Sequence, residues 1–217
     1  MDRTRHSNRL AVLSDFDGTI TPTQTMDLLY SRFAGCGMKF ARQWEQGEIS
    51  TAEEIRATFK TVTASRKELE RVLATIEIDP GFHSFYEFAQ ERGYQLAILS
   101  DGFEWYIKFI LERHGVTGIP IYANRIHFDE GGFRFEFPWG HEDYPMRGVS
   151  KTHIAHRYRT NGNKIVYIGD GRSDTEVIHA VDLLYARGWL AQHCRELNID
   201  SIEFNTWDDL REKWREP

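Results

Sequence analysis

An α/β fold is what the sequence predicts: a doubly wound parallel sheet with a small helical cap inserted after the first strand. Three observations point to it. Three short apolar runs end alike in Asp and Gly, LAVLSDFDG, LAILSDG and IVYIGDG. From residue 82 onward, strand-like runs alternate with helix-like ones, the pattern of right-handed βαβ crossovers in a parallel sheet. Between the first run and residue 82 the chain carries helical periodicity and almost no β-branched runs.

Taken in order, residues 1–8 read as a loose tail and residues 9–15 as a buried strand. Pro22 closes the loop that follows. In 24–79 the apolar positions recur at helical spacing: Met26, Leu28, Leu29 and Phe33, then Phe40 and Trp44, then Ile55 and Phe59, then Leu69, Val72, Leu73 and Ile76. Gly35, Gly37 and Gly47 break this stretch into roughly four helices, one opened by Ser50 or Thr51 with Glu53 and Glu54 behind it. The expected division is a core of residues 1–21 and 82–217 with a cap of residues 22–81. Pro80-Gly81 marks the return to the core. Then come a helix over 82–92 stopped by Gly93, a strand over 94–102, and a helix over 103–114 stopped by Gly115. A strand and hairpin over 119–137 turn at Gly131-Gly132. A loop over 138–149 leads to a helix over 151–160 capped by Ser150. The third strand falls within 163–171 and a helix over 173–180 follows. A strand at DLLYA, a helix near 188–198, a strand at SIEF and a final helix complete the chain.

At 217 residues, 41% hydrophobic and 13% aromatic, the chain can bury a core without disulfides or a structural metal. The net charge of -6 and the lack of a basic stripe argue against nucleic acid as a partner, but a locally positive site for a small anion is compatible with both. Cys36 and Cys194 imply neither a disulfide framework nor a cysteine zinc site. MDRTRHSNRL lacks the apolar region of a signal peptide, and no apolar run approaches the ~18 residues of a spanning helix. A cytoplasmic protein without membrane contact, monomeric or homodimeric, is the expectation.

In an open α/β sheet the carboxyl ends of the strands share one edge, where ligands bind. Asp15, Asp17, Ser100, Asp101, Asp170 and Asp174 therefore have a common edge available to them. Asp-Gly after one strand is ordinary turn chemistry. Three such endings with a DxD at the first point to a site, and carboxylates gathered together suit a hard cation such as Mg²⁺. Lys151, nineteen positions before Asp170, reads alone as a solvated helix lysine, but beside such a site it supplies a point charge for phosphate. Ser100 offers a hydroxyl, and the N–H groups of residues 101–102 open onto a helix N-terminus. The remaining features read as bland: His153 and His156 as helix surface, Glu53-Glu54 as a solvated face, Phe33, Phe40, Trp44 and Phe59 as cap core before pocket wall.

DFDGTIT, ILSDG, Lys151 and GDGRSD, in that order, resemble the four motifs of the haloacid dehalogenase superfamily of phosphohydrolases, with the helical insert of its phosphoserine phosphatase-like branch. The resemblance implies a Mg²⁺-dependent phosphatase of a small phosphorylated metabolite, working through an aspartyl-phosphate. It implies Asp15 as nucleophile and Asp17 as general acid and base. Asp15, Asp170 and the Asp17 carbonyl would hold the metal. Ser100, Gly102 and Lys151 would hold the phosphoryl group, with Asp101 beside them and Thr19 bracing the loop. Asp174 would orient Lys151 or a metal-bound water. Gln24 stands where phosphoserine phosphatases carry a glutamate for the substrate ammonium, which disfavours phosphoserine. Within the superfamily the chain is similar to the methionine-salvage phosphatases of 2-hydroxy-3-keto-5-methylthiopentenyl-1-phosphate, through DFDGTIT, the Lys151-to-Asp170 spacing and residues 186–200. It departs from bacillus-type members at HEDYPMRGVSK, which has no cysteine. Other metabolite phosphatases, a mutase-like phosphoryl transfer and an inactive phosphate-ligand binding module stay open as alternatives. Asp101 replaces a glycine of many relatives, and the expectation is that it turns away from phosphate or bonds locally.

Overall fold

The computed structural model describes residues 9–217; the tail expected over residues 1–8 lies outside them. Seven strands form one sheet in the order β4-β3-β2-β1-β5-β6-β7. The central strands are β1 (Arg9–Ser14), β2 (Gln95–Phe103) and β5 (Asn163–Gly169), and β1 pairs in parallel with both others. On one side β3 (Ile121–Asp129) runs parallel to β2 and turns back into the antiparallel edge strand β4 (Gly132–Glu136). On the other, β6 (Leu183–Ala186) and the two-residue β7 (Ile202–Glu203) continue the parallel order. Ala11, Val12 and Leu13 are fully buried, as are Ala97, Ile98 and Leu99 and residues 165–168, because strands covered on both faces must be apolar throughout.

Helices α1 (Thr25–Phe33), α2 (Lys39–Glu45), α3 (Thr51–Phe59) and α4 (Arg66–Leu73) fill the interval between β1 and α5 (Pro80–Glu91). Helices α3 and α4 each open on a reciprocal serine–glutamate box, Ser50 with Glu53 and Ser65 with Glu68. Their apolar faces share one buried cluster with the sheet: the Phe59 ring lies edge-on to Phe103, Phe133 and Phe135 at 5.6, 5.1 and 5.1 Å. Helices α6 (Glu104–Arg113), α7 (Lys151–Thr160), α8 (Gly188–Leu197) and α9 (Trp207–Glu212) complete the layers.

The helix expected over 173–180 is instead a 3₁₀ segment, Arg172–Ala180. Its groups are claimed from outside. The Glu176 carbonyl accepts from Thr152 Oγ1 at 2.6 Å, and Asp174 Oδ2 holds the N–H groups of Asp170 and Gly171. Those bonds tighten the turn and divert a carbonyl that an α-helix would use.

Candidate active site

The strand order places the ends of β1, β2 and β5 side by side, where the topology reverses. The first ending is built by the chain itself. Phe16 is fully buried, its carbonyl taking the N–H groups of Thr19, Ile20 and Thr21, so Asp15 and Asp17 flank it on the cavity side. Gly18 has φ +79°, and a Cβ there would fall 2.2 Å from Asp170 Oδ2. Glycine is required on both counts: the left-handed backbone and the close approach of the β1 loop to the β5 loop.

Lys151 is fully buried at the start of α7, where Ser150 accepts from the N–H of His153. Its Nζ lies 2.6 Å from Asp174 Oδ1, 3.2 Å from Asp15 Oδ1 and 3.2 Å from Ser173 Oγ. Burial opposes the charged lysine, but Asp15, Asp174 and Asp101 outweigh it and hold its pKa above the ordinary range. Burial raises Asp15 well above a normal carboxylate, with Lys151 opposing. Burial also lifts Asp17 to about 6, against hydrogen bonds from the Thr25 backbone N–H (3.1 Å) and the Tyr106 hydroxyl. Asp170 reaches about 6 as well, through burial and the Asp174 charge.

Oxygens of Asp15, Asp170 and Asp174 lie within 4.8 Å of one another, an all-oxygen set that suits a hard cation. The hydrogen bonds divide the three. Asp174 is saturated: Oδ1 takes Lys151 and Tyr167 (2.5 Å), and Oδ2 takes two backbone N–H groups at 3.0 and 2.8 Å. Asp170 accepts from Thr19 Oγ1 at 2.7 Å, and its other oxygen has only the Gln24 amide at 3.4 Å. The same Gln24 nitrogen is 3.4 Å from the Asp17 carbonyl, so two oxygens able to serve as cation ligands share one weak donor. The donor set fits a metal held by Asp15, Asp170 and the Asp17 carbonyl, with Asp174 holding Lys151.

Asp101 bonds to residues far along the chain: Oδ1 accepts from the N–H groups of Gly148 and Val149 at 3.1 and 3.0 Å, and Asn124 donates to its carbonyl at 2.6 Å. The β2 ending is thus tied to the loop that delivers Lys151. Ser100 Oγ accepts from the Gly102 N–H at 3.0 Å, so that N–H is engaged within the loop, while the hydroxyl proton of Ser100 is free to be donated. Gly102 is required for another reason: a Cβ would lie 1.6 Å from the Tyr106 hydroxyl.

These groups open into a cavity of about 470 Å³ reaching α1, α2 and α3. Two expectations are corrected there. Trp44, expected in the cap core, lines the cavity and donates from Nε1 to Thr51 Oγ1 at 3.0 Å. Glu54, expected on a solvated face, is buried, lines the same cavity and accepts from Tyr30 (3.1 Å) and Thr58 (3.0 Å). Helical spacing could have found Glu54, since it follows Thr51 and precedes Ile55, Thr58 and Phe59 on the buried face. Tyr106 carried no signal of this role: one phenol on the buried face of an amphipathic helix says nothing of a partner in a distant loop.

Strand endings, cavity and buried lysine describe a class, an α/β core with a carboxylate-rich ligand edge. The family model for haloacid dehalogenase-like hydrolases matches residues 12–179, and the chain belongs to that family. It is 26% identical to a 2-hydroxy-3-keto-5-methylthiopentenyl-1-phosphate phosphatase of Brevibacillus brevis, over 94% of each chain. It is also 26% identical to a polyol phosphate phosphatase of Saccharomyces cerevisiae, over 93% of this chain and 91% of that one. A solved phosphoserine phosphatase, a phospho-aspartyl intermediate analogue, superposes with TM-score 0.73 at 20% identity, covering 96% of this chain and all of the other. No helix among the described residues is long and apolar enough to cross a membrane.

Proposed function

We propose that this chain is a Mg²⁺-dependent phosphatase that hydrolyses a small phosphorylated metabolite through an aspartyl-phosphate. The observation that carries the reading is the Asp15–Lys151–Asp174 chain at 3.2 and 2.6 Å beneath the cavity, with Asp17 on the same loop. Asp15 Oδ attacks phosphorus, and the bond to the leaving oxygen breaks. Asp17, lifted to about 6, gives that oxygen its proton and later takes one from the water that releases phosphate. Tyr106 and the Thr25 N–H fix the Asp17 carboxyl in place. Lys151 offsets negative charge at Asp15 and the phosphoryl oxygens, and Asp174 with Tyr167 keeps the ammonium there. Ser100 donates its hydroxyl to a phosphoryl oxygen. Mg²⁺, held by Asp15, Asp170 and the Asp17 carbonyl, would neutralise phosphate charge.

In this reading residues 22–81 cap the core and choose the leaving group. The relatives make the methionine-salvage enol-phosphate 2-hydroxy-3-keto-5-methylthiopentenyl-1-phosphate the first substrate to try and polyol phosphates the second. Purified protein with Mg²⁺ is expected to hydrolyse p-nitrophenyl phosphate, to stop on addition of a chelator and to recover with Mg²⁺. Asp15→Asn is expected to lose this turnover while keeping the wild-type circular dichroism spectrum. Equal rates in Asp15→Asn and wild type would refute the assignment.

A further inference from the structure

The helices α1, α2 and α3 give the cavity that Asp15 and Asp17 line an acidic side. Asp27, Glu45 and Glu54 line it, beside the indole of Trp44 and the apolar side chains of Met26 and Ile55. Glu54 is no stray surface charge: it is 6% exposed and held by the Tyr30 and Thr58 hydroxyls. Asp27 stands near enough for its charge to raise the pKa of both Glu54 and Asp17, and Asp27 is itself raised by burial and by Glu45. On the core side Asp101 lines the same cavity, and its Oδ2 is buried with no hydrogen-bond partner. Among the described residues one arginine reaches the lining, and a second, Arg147, lies 5.6 Å over the Trp44 ring. Arg172 belongs to the loop after Asp170 and stacks on Trp189 at 4.4 Å, at the core rim.

Carboxylates accept hydrogen bonds from hydroxyl groups and repel other carboxylates, and an indole face packs against C–H groups. Resting on the phosphatase reading above, we propose that the substrate's leaving group carries hydroxyl groups and no negative charge, and that Glu54 and Glu45 exclude carboxylate-bearing esters. Trp44 provides the apolar face on which the carbon chain lies.

Glycerol 3-phosphate and 3-phosphoglycerate form a matched pair, differing by CH₂OH against a carboxylate at one carbon. Each is assayed above about pH 8, where Glu54 carries its charge, as a substrate and as a competitive inhibitor of p-nitrophenyl phosphate hydrolysis, so that a slow ester still yields a ratio. Glycerol 3-phosphate is expected to be favoured roughly tenfold or more, because setting like charges against each other is costly. Glu54→Gln and Glu45→Gln are each expected to narrow that ratio. A ratio near one, a preference for 3-phosphoglycerate, or failure of both esters to bind while p-nitrophenyl phosphate is hydrolysed overturns the proposal. A preference for phosphoethanolamine over glycerol 3-phosphate overturns the hydroxyl assignment. Failure to hydrolyse p-nitrophenyl phosphate falls on the phosphatase reading instead.

Discussion

Asp101 shows how a residue that looks misplaced beside a phosphate site can serve it indirectly. Its carboxylate receives two consecutive backbone N–H groups, Gly148 and Val149, immediately before Ser150 and Lys151. Burial raises its pKa, with Lys151 and Arg147 opposing, so these bonds stabilise a group that would otherwise be costly to bury. Asp101→Ala removes the one oxygen that accepts from both N–H groups and is expected to cost about 1–3 kcal/mol by chemical denaturation, the usual penalty for stranded buried donors. Turnover should fall with it, because the loop that places Lys151 loosens. Asp101→Asn keeps one acceptor oxygen and is expected to recover most of both. If the alanine and asparagine variants behave alike, the hydrogen bonds are not the reason for the residue. The identity of Asp101 was visible in the sequence, but its partners lie some 47 positions away in a loop without periodicity.

Among the elements, α3 is the clearest case of local sequence and tertiary setting acting together. Ser50 and Glu53 start it through contacts three residues apart, which a sequence pattern reveals. Glu54, the next residue, faces inward, and its pKa is raised to about 7 chiefly by burial. A carboxyl whose pKa is raised on folding binds its proton more tightly in the native state. Its contribution to stability is therefore largest at low pH and is lost as pH climbs from the unfolded value through about 7. Glu54→Gln removes that ionisation while keeping partners for Tyr30 and Thr58. The variant is expected to match wild type in Tm near about pH 4 and to exceed it by roughly several degrees above about pH 8. A constant difference across pH would show that Glu54 does not titrate in this range. The 3₁₀ segment Arg172–Ala180 teaches the converse: its pattern predicts a helix, yet Asp174 and Glu176 spend their hydrogen-bonding capacity on other elements.

For the whole molecule, the helices after β1 and the sheet share one apolar cluster, with Phe59 of α3 against Phe103, Phe133 and Phe135 of β2 and β4. Unfolding is therefore expected to be a single transition. Phe59→Ala is expected to cost about 3–5 kcal/mol and leave the transition single; two separated transitions, in fluorescence and circular dichroism, would contradict this. The sequence by itself determined the sheet class, the three Asp-Gly strand endings and the four motifs, because those features are written in contiguous residues as short apolar runs and fixed turns. Asp15, Asp17, Asp170 and Asp174 stood out as strand-end carboxylates for that reason, whereas Lys151, on a helix, stood out only through the resemblance of the four motifs. Only the tertiary structure decided that Tyr106 holds Asp17, that Asp101 holds the Lys151 loop, and that Glu54 and Trp44 face the cavity. Each of these depends on a partner brought close by chain topology. Burial, which shifts the charges of Asp17, Asp170 and Glu54, is likewise a property of the packed interior and is not encoded at any one position.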